Sequence, residues 1–198
     1  QERMGLEVIG HDPADPASAD ETELVQRADV LVFSAPIRRT GALIARYAEL
    51  AAGSEAGRLW LDVTSLKAAP VAAMLASRAE VVGLHPMTAP PKTPTLKGRV
   101  MVVCEARLDT WRPWVASLLA ALEAECVQAT PEQLKSQVEE LAASYEKPEE
   151  VVRYYYADNR RLADVEAMVI ENNVTDHVLK QAKVTEKALG FDELMGNN

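Results

Sequence analysis

Up to about Thr130 the chain alternates short, nearly continuous apolar runs with stretches whose apolar residues recur at helical spacing; beyond it only the helical spacing remains. Runs at residues 6–10, 30–34, 59–63, 80–84 and 100–104, with a weaker one at 125–128, predict strands. Runs rich in Val, Ile and Leu with little polar alternation suit strands covered on both faces. Between them, Ser18-Ala19-Asp20-Glu21 reads as a capping box that opens a short helix to Arg27. Residues 41–51 repeat Leu43, Ile44, Tyr47 and Leu50 on one helical face, and 66–77 and 110–124 follow the same period. Strands and helices alternating at this spacing predict an α/β layered fold with parallel strands and crossover helices.

After Pro131 the pattern predicts three helices. Leu134, Val138, Leu141 and Ala142 share one face of the first. Pro148 opens the second at a position where its missing N–H costs nothing. The third, from about Asn159 to Lys183, carries Leu162, Val165, Met168, Val169, Asn172, Val178 and Leu179, and its apolar stripe needs a partner surface. A last short turn is expected at 191–195, ahead of a frayed Gly-Asn-Asn end.

Composition sharpens the seam at Thr130. The stretch before it holds ten Arg, three Lys, all three Trp and no Asn; the stretch after it holds three Arg, five Lys, four of the five Tyr and all five Asn. Such a break suggests two pieces of different origin, expected as units 1–130 and 131–198. The net charge of −9 argues against binding a phosphate backbone, and no apolar stretch approaches the roughly 20 residues that span a bilayer. Neither nucleic acid nor membrane is therefore an expected partner, and the cytoplasm is the expected compartment. Cys104 and Cys126 lack metal-ligand spacing and read as buried, reduced thiols; His11 and His177 read as surface or packing residues, so no metal is expected. Tyr154-Tyr155-Tyr156 points in three directions around a helix, so one or two rings pack and the rest reach solvent.

Candidate chemistry gathers at strand ends, where open α/β sheets bind ligands. Asp12 follows the run Val8-Ile9-Gly10 and suits either a turn or the carboxylate that holds a ribose hydroxyl. His85, in Gly83-Leu84-His85-Pro86-Met87, suits either a hydrogen bond to its own turn or a proton acceptor near neutral pH. Ser65 suits helix capping or a substrate contact, and Ser34-Ala35-Pro36 marks a third such end. None of the nine glycines forms a G-x-G pair, so a phosphate-binding glycine turn is not expected here.

Together, Val8-Ile9-Gly10-His11-Asp12, Asp29-Val30-Leu31-Val32-Phe33-Ser34-Ala35-Pro36, Asp62-Val63-Thr64-Ser65-Leu66-Lys67 and Gly83-Leu84-His85-Pro86-Met87 resemble the nucleotide domain of prephenate dehydrogenases over about residues 1–132. The resemblance implies an incomplete Rossmann-like parallel sheet, since the family's first strand and glycine turn lie upstream of anything present. It further implies an oxidoreductase that uses NAD to oxidise and decarboxylate prephenate. His85 would accept a hydrogen bond from the substrate's ring hydroxyl and Ser65 would orient that contact. Asp12 would hold the adenosine ribose, with Ser34 and Pro36 lining the cofactor cleft.

Residues from about Pro131 onward resemble instead the C-terminal end of trigger factor, through 139–152, 182–187 and 191–195. That resemblance implies an all-α segment from a helical arm that cradles unfolded chains. Two other readings stay open beside the enzyme: a binding module for unfolded polypeptides, and a composite chain with neither activity. A sheet without its central strand is expected to associate with another copy or to rearrange.

Overall fold

The structure, a computed structural model, describes residues 4–88, 95–185, 187, 188 and 190. Five of the six apolar runs pair into one sheet in the order β1 (Val30–Phe33), β2 (Leu59–Asp62), β3 (Glu80–Pro86), β4 (Val100–Arg107) and β5 (Glu125–Val127). Strands β1, β2 and β3 run parallel and β5 is parallel to β4, but β4 is antiparallel to β3. The sheet is thus Rossmann-like and mostly parallel, with one reversal that apolar runs do not encode, because a run has no direction. The run at 6–10 does not join the sheet: it lies as irregular chain whose Val8 is 58% exposed. His85 and Pro86 fall inside β3, so this strand is longer than its apolar run.

Alternation sends Leu31, Phe33, Trp60 and Val81 to one face and Leu59, Leu61, Val82, Leu84, Met101 and Val103 to the other. The first face packs on α1 (Glu21–Arg27), α2 (Ile37–Ala51) and α3 (Ala68–Leu75) through Leu24, Ile44, Tyr47 and Met74. Phe33 meets Tyr47 and Trp60 edge-on at centroid separations of 5.6 and 5.4 Å. The second face packs on α4 (Arg112–Leu122) through Val115, with Trp111 and Trp114 alongside. Each fully buried side chain of this size contributes about 1.5–3 kcal/mol of transfer free energy. The cap of α1 differs from expectation: Asp20, not Ser18, accepts from Thr22 N at 2.8 Å, while the Ser18 hydroxyl donates to the Asp12 and Asp15 carbonyls.

β5 passes into α5 (Pro131–Ala142) with three residues between them. Thr130 caps α5 in a reciprocal box: its hydroxyl accepts from Gln133 N at 3.2 Å, and the Gln133 side chain accepts from Thr130 N at 3.1 Å. Helices α6 (Pro148–Tyr156) and α7 (Asn159–Gln181) follow, and Val138, Ala142, Val165, Val169 and Ile170 are buried. α7 lies along β5. Asn173 donates to the Gln128 carbonyl at 2.9 Å, Gln181 donates to Glu125 at 3.2 Å, and His177 Nε2 stands 3.1 Å from Glu125. Of the stripe on α7, Val165 and Val169 are buried, whereas Met168, Val178 and Leu179 stay exposed. Tyr154 and Tyr156 are exposed and Tyr155 half-buried; Cys104 is half-buried, but Cys126 is exposed rather than buried. The turn expected at 191–195 lies outside the described residues. Among the described residues no helix is long and apolar enough to cross a membrane.

Candidate functional site

An open cleft of about 1280 Å³ separates β1 from the irregular segment at 5–13. Leu24, Leu43 and Tyr47 line it from one side of the sheet, and Trp111, Trp114 and Leu118 from the other. Asp12, Ser34, Ala35, Pro36 and Arg39 line it as well. The structure therefore brings together three of the residues singled out in the sequence: Asp12, Ser34 and Pro36. Asp12 has one carboxylate oxygen in a turn, accepting from Ala14 N at 2.9 Å. Pro36 forms the N-cap of α2, which opens without a side-chain cap.

Ser65 and His85 are not part of that cleft's lining. Ser65 is exposed in the loop between β2 and α3, and His85 is half-buried near the end of β3. Beside them lies a buried polar cluster whose members sequence reasoning did not single out. Asp62, the last residue of β2, is fully buried; it accepts from Lys67 Nζ at 2.6 Å, from Thr64 N at 3.1 Å and from the Thr64 hydroxyl. Lys67 Nζ also donates to the Leu84 carbonyl at 2.8 Å, so one ammonium ties the end of β2 to the residue before His85. Gly83 makes room for this bridge. A Cβ there would lie 2.8 Å from Lys67 Cδ and 3.1 Å from Asp62 Oδ1. The signal was present in the sequence: an Asp closing an apolar strand is costly to bury without a cation, and Lys67 follows five residues later.

Burial pushes the Lys67 ammonium below its usual range, against the opposing pull of its bond to Asp62. Burial also lowers the His85 pKa, with the Lys67 charge adding to the effect and Asp62 opposing it. His85 Nδ1 is buried without a hydrogen-bond partner. An imidazolium must donate from both nitrogens, so this orphan position disfavours the protonated ring. Burial and the unpartnered Nδ1 thus both act against the charged ring. Cys104, opposite Gly83 in the β3–β4 register, has its thiol pushed up to about 11, first by burial and then by Glu166, which leaves it an inert thiol.

Comparisons with known proteins match two different families along the chain. The nucleotide-binding-domain model of prephenate dehydrogenase matches residues 13–129, and the trigger factor C-terminus model matches 118–180, so the two overlap at 118–129. Trigger factor of Polaromonas naphthalenivorans is 69% identical over 84 residues, which are 42% of this chain and 19% of that protein. Trigger factor of Albidiferax ferrireducens is 71% identical over 72 residues, 36% of this chain and 16% of that protein. The chain thus spans under a fifth of the length of these relatives. Among solved structures, prephenate dehydrogenase from Aquifex aeolicus aligns at a TM-score of 0.48 and 12% identity, covering 91% of this chain and 78% of that one. Synechocystis arogenate dehydrogenase aligns at 0.46 and 13%, covering 82% and 71%.

Proposed function

Because the chain belongs to the prephenate dehydrogenase nucleotide-binding family through residues 13–129, we propose that units 1–130 and 131–198 serve different tasks, and that the first is an NAD-dependent dehydrogenase unit acting on prephenate. His85, next to the Leu84 carbonyl that Lys67 holds and with its charged form disfavoured by burial, carries this reading. His85 accepts the hydrogen bond of the substrate's ring hydroxyl, and Ser65 orients the contact from the neighbouring loop. NAD, if bound, would supply the hydride acceptor for this oxidative decarboxylation.

The residues present fit only part of that cofactor. Asp12 can meet a ribose hydroxyl, and Ser34 and Pro36 line the cleft beside it. No glycine pair is available to cradle the pyrophosphate. Trp111 and Trp114 line the same cleft, so their emission reports its occupancy. Titration with NAD is expected to change that emission, and an unchanged spectrum at millimolar cofactor would remove the cofactor reading. Prephenate turnover that survives His85→Asn would remove the catalytic one.

A second reading concerns the helices. Tyr154, Tyr156, Met168, Val178 and Leu179 are exposed on them and Tyr145 on the loop between α5 and α6, a surface suited to apolar segments of unfolded polypeptides. The full chain should then delay aggregation of an unfolding client, and a chain shortened to 1–130 should not. Equal performance of the two would dismiss this role, and inactivity in both assays would leave the composite without either.

A further inference from the structure

β2 stops at Asp62, and the parallel ladder that joins it to β3 stops at the pair Asp62 and Gly83. β3 runs on to Pro86, held on its other side by β4, where Leu84, His85 and Pro86 stand opposite Val103, Val102 and Met101. On the side that β2 has left, the Leu84 carbonyl still finds a donor. It is Lys67 Nζ, at 2.8 Å. A lysine thus supplies the next hydrogen bond after the strand itself has ended, and the missing Cβ of Gly83 leaves its side chain room to do so.

The same ammonium is anchored on Asp62 at 2.6 Å. Asp62 also accepts from the backbone N–H of Thr64 at 3.1 Å and from the Thr64 hydroxyl, so the turn 62–67 closes back on the end of β2. Lys67 then leads into α3, its carbonyl accepting from Val71 N at 2.9 Å. Asp62 is fully buried and the Lys67 side chain is 14% exposed. In such surroundings charged hydrogen bonds are short, directional and hard to exchange for water.

Ser65 lies between Thr64 and Lys67, inside the turn that Asp62 closes, and His85 directly follows Leu84, the residue that Lys67 holds. His85 Nδ1 is buried without a partner among the described residues. No bond at that nitrogen fixes the ring, so the backbone that carries it has to.

Resting on the reading of Ser65 and His85 as a pair that contacts substrate, we propose that Asp62, Thr64 and Lys67 are positioning residues that hold the two in register. Asp62 and Thr64 act through the turn that carries Ser65, and Lys67 acts through the Leu84 carbonyl on the strand that carries His85. Alignment of this kind is costly to lose, since a displacement of about 1 Å can lower a rate on the order of a hundredfold.

The test replaces the charged pair in the full chain by two apolar residues of similar volume, Asp62→Leu with Lys67→Met, which avoids a buried unpaired ion. Amide exchange is followed residue by residue. Protection at Thr64, Leu84, His85 and Met87 is expected to fall at least about fivefold, while Val81, Val82 and Gly83, which keep their ladder to β2, stay within about twofold. Thr64→Val is the second variant; it leaves Lys67 on Leu84, so Thr64 alone of these positions should lose protection. With prephenate as substrate, the double variant should lose at least about tenfold in kcat with KM within about twofold, because the contacts remain and their alignment does not. A loss of protection shared equally by 81–83, unchanged protection at Leu84, His85 and Met87, or a raised KM with kcat intact would each overturn the proposal. A native chain that does not turn over prephenate removes the reading of Ser65 and His85, and the exchange pattern then judges the positioning by itself.

Discussion

The two outer strands of the sheet are finished in opposite ways. Beyond β5 lies α7, whose Asn173, His177 and Gln181 reach the strand and the residue after it. Beyond β1 lies a cleft of about 1280 Å³, with Val32 52% exposed and the irregular segment at 5–13 as its far wall. An edge strand needs some device to keep it from pairing with another chain. At β5 the device is a helix from a segment similar to trigger factor. At β1 no described strand provides one. The difference teaches that side chains of a helix can close a sheet edge laterally, whereas the backbone groups of a strand are matched only by another strand.

The largest perturbation lies between the two edges. Asp62→Ala leaves Lys67 buried without its partner and is expected to cost about 3–5 kcal/mol in urea unfolding, disturbing both edges together. If it were neutral, the bridge from β2 to β3 would not be what holds the centre. Next in size is Val169→Asp, which places a charge in the buried contact of α7 and should cost about 2 kcal/mol or more. Its signature is selective: proteolysis of α7 and of β5 accelerates while the β1 side is unchanged. Thr130→Ala removes one half of the capping box and should cost about 1 kcal/mol. Smallest is Val32→Lys at the open edge, expected to shift stability by no more than about 0.5 kcal/mol. Sedimentation should nevertheless detect reduced self-association at high concentration, and identical sedimentation of both proteins would mean that the β1 edge is not sticky.

Legibility in the sequence tracked burial. β2, buried at every position, coincides closely with its apolar run, and Thr130 stands where the composition changes and where a helix begins. Strand direction was not legible at β4, because the reversal depends on the link from β3 and not on which residues are apolar. The run at 6–10 has strand composition but no strand, since apolar residues provide no ladder without a neighbour to pair with. Of the candidate residues, Asp12, Ser34 and Pro36 line one cleft and Ser65 and His85 lie outside it, while the pairing of Asp62 with Lys67 was not legible. Their pairing is a tertiary fact: it requires Gly83, on the adjacent strand, to leave room.

The short passage from Val127 to Pro131 has a mechanical consequence. Three residues give no slack, so a load applied to the helices reaches the sheet through β5 and the side-chain hooks of α7 almost at once. In an optical trap, β5 should peel from β4 together with the helices, leaving the rest of the sheet to yield at a later rip.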